Sequence, residues 1–294
     1  MYNQGWINVD KPAGISSARA VATIKSLLKA KKVGHAGTLD PIATGVLPIA
    51  FGKATKLMSF VQDKEKEYVF TLKFGEETDT YDKAGKIVAT SSVYPTLEEV
   101  RVGIKQFVGK IRQAPPVYSA IKVGGKRAYD LARKGEILSL PDREVHIKKI
   151  QVESFDAVSH EAILRVLCGK GTYIRSFAHD LAKNLGSCGH VTELRRTKVG
   201  IFDENNIISL AKIEKLVHTD ALKDVILPTW KVLDDILAFD FSQKQGEQIA
   251  HGGTIQLPEQ KTLFNENCVL AKVDGIPIGI GKIDGQCFKP TTVF

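Results

Sequence analysis

The chain has 294 residues, 43% hydrophobic and 25% charged, which can bury a large core and exceeds the roughly 100 to 200 residues of a usual single domain, so one large domain and a smaller one are expected. Lysine and arginine total 41 against 33 aspartates and glutamates, a net charge of +8, with 35 basic and 25 acidic side chains up to Trp230 and 6 and 8 from Lys231 onward; the basic surface belongs to the large domain and suits an acidic partner such as nucleic acid. Cys168, Cys188, Cys268 and Cys287 have neither zinc-site spacing nor disulfide-framework density and read as reduced, buried thiols, and the absence of a leader pattern or of a run of about 20 apolar residues excludes a membrane span and predicts a soluble, cytoplasmic protein.

Ser16 and Ser17 are both candidate caps for a helix whose Val21, Ile24, Leu27 and Leu28 form an apolar stripe, ending near the basic stretch 29–32. That helix delivers the chain into GHAGTLDP, residues 34–41. Gly34 and Gly37 permit turns and close approach of another molecule, and Pro41 pushes Asp40 toward an extended backbone, so the loop is shaped to present one carboxylate. An aspartate before proline is also an ordinary turn former.

Val46 to Phe51 then reads as a short buried strand, and Tyr68, Phe70, Leu72 and Phe74 alternate with Val69, Thr71 and Lys73 as a half-buried one. Thr96 and Glu99 form a capping box for a helix carrying Val100, Ile104, Phe107 and Val108. Residues 144–155 and 161–168 read as two further strands. Ile174, Phe177, Ala178, Leu181 and Leu185 line one face of a helix that follows Gly169-Lys170-Gly171 and stops at Gly186. This irregular order, without a repeating strand-helix unit, predicts an α+β domain with a mixed, mostly antiparallel sheet and flanking helices. From residue 228 the pattern changes to a helix near 243–249 and short glycine-punctuated segments, which divides the chain into residues 1–227 and a small β-rich module, 228–294.

Lys11-Pro12-Ala13-Gly14, the run GHAGTLDPIATGVLPIAFGKATK from Gly34, Tyr68 after Lys66-Glu67, PPVYSAIK from Pro115, KGTYIRS from Lys170 and HVTELRR from His190 resemble, in the same order, the TruB family of tRNA pseudouridine synthases. The resemblance runs from Trp6 to about Gly200 and is looser over the last 60 or so residues, which are short and less basic than the family's PUA-like domain. It implies the pseudouridine synthase fold and the conversion of uridine to pseudouridine at tRNA position 55, in the T-loop, without cofactor or metal.

Residue by residue, the resemblance makes Asp40 the family's essential aspartate, the nucleophile, which either adds to C6 of the base or assists departure at the ribose carbon. It pairs Asp40 with Arg175, which otherwise sits unfavourably for a cation in the first turn of its helix; a planar guanidinium aims a carboxylate better than an ammonium does. It makes Tyr68 catalytic as well as substrate-binding, stacked against the target uracil with its hydroxyl helping to remove the C5 proton after reattachment, and it puts Tyr173 and Leu194 around the uridine pocket, His35 in the space that the flipped base vacates, and Lys11 in support of the pocket by packing or hydrogen bonding. On the residues alone, Tyr68, Tyr173 and above all Leu194 read as plain core, and His35 as a turn histidine or a neutral hydrogen-bonding residue. Gly169-Lys170-Gly171-Thr172 before a helix could hold an RNA phosphate, but neither GxxxxGK[ST] nor GxGxxG is present, which excludes ATP or NAD as cofactor. Arg19 and lysines 25, 29, 31 and 32 are either a solvated helix face or a surface for tRNA. The expected partner is the tRNA T stem-loop alone, with no obligatory protein partner and a monomer as the default. A second reading is a tRNA-binding or folding-assisting protein whose catalysis is incidental, and a third is a synthase of the same superfamily directed at ribosomal or small nuclear RNA, against which the motif detail favours the T-loop enzyme.

Overall fold

A computed structural model describes residues 3–119, 121–132, 140–233, 236–258, 266 and 268–294; Ala120, within PPVYSAIK, lies outside the described residues. Period-two burial along Lys66–Phe74 places Phe70, Leu72 and Phe74 on one face, and the same alternation in Glu161–Cys168 places Ala162, Leu164, Val166 and Cys168 beside them. These strands pair with each other and with Gly189–Val199 in the middle of a ten-stranded sheet. Its order is Ile208–Ser209, Gly5–Lys11, Thr44–Phe51, Gly189–Val199, Lys66–Phe74, Glu161–Cys168, Arg143–Asp156, Gly109–Gln113, with Val33–His35 and Phe202–Asp203 paired at the side. Only two of these pairings are parallel, Gly5–Lys11 with Ile208–Ser209 and Thr44–Phe51 with Gly189–Val199, so the sheet is mixed and mostly antiparallel as expected.

The helix Ile174–Asn184 covers the apolar face. Phe177 meets Phe70 and Phe107 edge-on, with ring centroids 5.9 and 5.2 Å apart. The helix Ser17–Leu28 is capped by the Ser16 side chain and ends at Lys29 in the left-handed conformation. Arg19 and lysines 25, 29, 31 and 32 are all exposed on or just after it.

Two expectations change. The Thr96 capping box forms, but its helix, Leu97–Gly103, tightens into a 3₁₀ turn, Ile104–Phe107, before Gly109 at φ 106° turns the chain into a strand. Val108 therefore faces water at 48% exposure instead of extending the apolar stripe. Of the four free cysteines only Cys168 is buried; Cys188, Cys268 and Cys287 are partly exposed.

Beyond residue 236 a separate five-stranded sheet forms in the order Ala238–Phe241, Val269–Val273, Ile276–Asp284, Cys287–Val293, Ile255–Gln256. The helix Gln243–Ala250, opened by a Ser242–Gln245 capping box, packs on it around Phe241, Ile249 and Phe288. Trp6 marks the junction: it exchanges backbone hydrogen bonds with Leu227, donates Nε1 to the Thr229 carbonyl at 3.0 Å, and shares an apolar cluster with Leu233, Leu270 and Ile280. Among the described residues no helix is long and apolar enough to cross a membrane.

Candidate active site

The two halves of the large sheet are joined by a short parallel pairing, Arg195 with Thr44 and Arg196 with Gly45, and the Asp40 loop enters beside that seam. Gly45 has φ 98°, and a Cβ there would stand 2.3 Å from the Arg196 carbonyl oxygen, so glycine alone lets the strands meet. The loop is tied down at each step. The Ser17 hydroxyl accepts from Leu39 N at 2.8 Å and donates to Leu39 O at 2.9 Å. The Pro41 carbonyl accepts from Gly14 N at 2.8 Å and from Lys11 Nζ at 3.4 Å. Ala43 N donates to Asp40 O at 3.1 Å, closing a turn with Pro41 at its second position. Asp40 is thus a turn former and a presented carboxylate at once.

Asp40 Oδ2 accepts from Arg175 Nε at 2.8 Å; its side chain is 30% exposed and that of Arg175 only 4%. The remaining guanidinium nitrogens are occupied from the other side. Nη1 donates to Thr80 O at 2.9 Å and lies 3.4 Å from Asp82 Oδ2, and Nη2 donates to Tyr118 O at 3.0 Å. A buried cation in the first helical turn is therefore compensated by two carboxylates and two carbonyls, and it points one nitrogen at Asp40.

In front of Asp40 opens a cleft of about 280 Å³, to which Tyr68, Tyr173 and Leu194 contribute walls and Gly169, Lys170, Gly171 and Thr172 a rim. Burial pushes the hydroxyl of Tyr68 above its ordinary range, opposed by the Arg196 guanidinium beside it. Burial, with Asp40 adding to it, does the same for Tyr173. Gln113 fixes Tyr173 from behind, accepting from its backbone N at 2.8 Å and donating to its O at 3.1 Å. Lys170 reaches Asp63 at 2.8 Å on the surface.

Besides Arg175, which stands behind Asp40, two named residues lie outside the cleft wall. His35 ends the strand Val33–His35 opposite Ile49, and its Nδ1 is buried without a hydrogen-bond partner; burial first, then Arg196, lower its pKa below the ordinary 6.5, which favours neutral imidazole at pH 7. Lys11 is fully buried and its Nζ donates to Pro12 O at 2.8 Å and Ile15 O at 2.9 Å as well as to Pro41 O.

Burial lowers the Lys11 pKa to about 8, with Asp40 opposing, and lowers that of Lys66 to about 8. An unfolded lysine titrates near about 10.4, so between these values the unfolded chain binds more protons, and stability rises with pH. Above about pH 9 the Cys168 thiol, raised to about 11 by burial, acts in the opposite sense. Urea unfolding between about pH 8 and 9 is expected to show increasing stability, with a shallower slope for Lys11→Met; equal slopes would assign the rise to other groups.

Three residues of this site were not read from the sequence. Arg196 is 1% exposed and donates to Val46 O at 2.8 Å, Gly37 O at 3.0 Å and Thr38 O at 3.3 Å, holding the Asp40 loop from the sheet side. Its signal was its place two residues after the inward-facing Leu194. Lys66, 6% exposed on the cleft wall, stands in the same relation to Tyr68. Asp82 resembled any turn aspartate.

Comparisons agree with this architecture. Residues 25–174 match the TruB family pseudouridylate synthase N-terminal domain, and residues 175–234 match the tRNA pseudouridylate synthase B C-terminal domain. The chain is 43% identical to tRNA pseudouridine synthase B of Anaplasma phagocytophilum (strain HZ) over 99% of its own length and 98% of the relative's, and 46% identical to that of Caulobacter vibrioides (strain ATCC 19089 / CIP 103742 / CB 15) over 86% and 81%. It superposes on a chain of a crystal structure of a Cbf5-Nop10-Gar1 complex with a TM-score of 0.76 at 25% identity, covering 99% of this chain and 85% of that one. Fold and matches together define a pseudouridine synthase, an isomerase. Within that class the chain belongs to the TruB family.

Proposed function

We propose that the protein converts the uridine at position 55 in the T-loop of tRNA to pseudouridine, with Asp40 as nucleophile on a base flipped out of the RNA. The observation that carries this reading is a partly exposed carboxylate, held at 2.8 Å by a buried arginine, facing a cleft with two tyrosines in its wall. The reaction breaks the bond from N1 to the ribose carbon, forms one from C5 to the same carbon, removes the proton on C5 and returns a proton to N1. Atoms and electrons balance without a co-reactant, so positioning and one nucleophile suffice.

In this reading Tyr68 stacks on the uracil and its hydroxyl helps to remove the C5 proton, Tyr173 and Leu194 bound the pocket, and His35 fills the gap in the T-loop, offsetting part of the few kcal/mol that extraction of the base costs. Lys11 supports the Asp40 loop. The names of the relatives support a tRNA substrate, and the basic large domain suits it. We assign catalysis to residues 1–227 and a separate, supporting role to residues 228–294, and place the enzyme in the cytoplasm as a monomer needing no protein partner.

Incubating the purified chain with an unmodified tRNA transcript, without added metal or nucleotide, and mapping pseudouridine tests the reading directly. Product in the T-loop is expected; product elsewhere, or none, overturns it. Affinity for the transcript is expected to fall steeply between about 50 and 200 mM salt, as phosphate neutralisation requires; a flat salt response would remove the basic face from the interface.

A further inference from the structure

Tyr81 has φ 58°, a left-handed conformation that is unfavourable for a bulky side chain. Its turn, residues 78–86, presents two of the partners of Arg175: the Thr80 carbonyl and the Asp82 carboxylate. Thr80 Oγ1 donates to Asp82 Oδ1 at 2.7 Å, Ala84 N donates to the same oxygen at 3.0 Å, and Thr78 Oγ1 donates to Asp82 O at 2.7 Å, so the turn is internally rigid. Rigidity alone does not fix its place relative to the helix that carries Arg175.

Backbone hydrogen bonds of Tyr81 and Lys83 with Val191 tie the turn to the sheet, and a ring stack ties it to the helix. Tyr81 lies on His179 with centroids 4.1 Å apart and planes 19° from parallel, and His179 sits one helical turn beyond Arg175 on the same helix. The imidazole is gripped on both sides, Nε2 lying 3.4 Å from Glu77 Oε1 and Nδ1 3.0 Å from Asp180 Oδ1. Tyr81 is also held through its backbone, its N donating to Thr78 O and its O accepting from Val191 N, each at 3.0 Å. A strained tyrosine with no contact to the cleft is thus bolted to the helix of the catalytic arginine.

We propose that Tyr81 and His179 are positioning residues: their stack sets the turn that aims Arg175, and through it Asp40, at the substrate. The inference rests on the assignment of Asp40 and Arg175 to the reaction. Tyr81→Gly removes the ring and suits the left-handed backbone, so the fold survives. It is expected to lower kcat about 10- to 100-fold, the range for a small misplacement of a reacting group, while KM for the transcript stays within about twofold and the melting temperature barely moves. Tyr81→Phe, which keeps the stack, is expected to restore kcat, and His179→Ala to reproduce the Tyr81→Gly loss. A kcat within about twofold of the wild type for Tyr81→Gly, or a loss carried by KM or by melting temperature, overturns the positioning role. Asp40→Asn measured in parallel separates the two readings: an active Asp40→Asn sinks the proposed function itself, whereas an inactive Asp40→Asn beside a fully active Tyr81→Gly sinks only the stack.

Discussion

Replacing Asp40 by asparagine is expected to lower pseudouridine formation by at least about 10³-fold, as removal of a nucleophile does, while the protein stays folded and still binds the transcript. The substitution is nearly isosteric. An amide oxygen can still accept from Arg175 Nε, where the carboxylate now accepts at 2.8 Å, and the turn closed by Ala43 N on the Asp40 carbonyl uses only backbone. Local structure therefore survives, and what disappears is the lone pair of an anionic oxygen able to form a covalent bond. Single-turnover assays with pseudouridine mapping, beside filter binding of the same transcript, separate the two effects. Loss of binding in step with activity would move Asp40 from chemistry to recognition. Retained activity would remove Asp40 as the nucleophile and with it the proposed mechanism.

How much of this was legible beforehand differs from residue to residue. Asp40 was readable because nothing periodic explains a carboxylate among glycines and a proline, and the structure shows why both of its readings hold: the turn is the device that presents it. Lys66–Phe74 and Ile174–Asn184 were readable because a period of two and a period of 3.6 each survive burial of one face. Arg175 was readable as an anomaly, a cation against the helix dipole, which demands a partner. Its second carboxylate was not, because the contact between Asp82 and Arg175 spans a turn and a helix that nothing local brings together. The same holds for Gln113 and Tyr173, and for the parallel pairing of Ala238–Phe241 with Val269–Val273. Val108 failed for a local reason, since the 3₁₀ turn rotates the apolar stripe out of register.

Arg175→Met is expected to cost about 3 to 5 kcal/mol of stability, the range for removing one partner from a buried ion cluster, and to abolish activity even where the protein remains folded. Methionine fills most of the volume, so the loss is electrostatic. Asp82, 7% exposed at its side chain, would keep its negative charge close to that of Asp40 without a cation between them, and the carbonyls of Thr80 and Tyr118, now accepting at 2.9 and 3.0 Å, would be left unpaired. Arg175→Lys restores the charge but not the fork: an ammonium on a shorter reach cannot serve Asp40, Thr80 and Tyr118 from one planar group. It is expected to recover roughly half of the stability and little of the activity. Urea denaturation of the three proteins gives the first quantity and single-turnover assays the second, and the pairing matters more than either number. If Arg175→Lys regained activity in proportion to stability, the guanidinium would be a structural counter-ion and no more. If stability returns while catalysis does not, the direction in which Nε points at Asp40 is what the reaction uses.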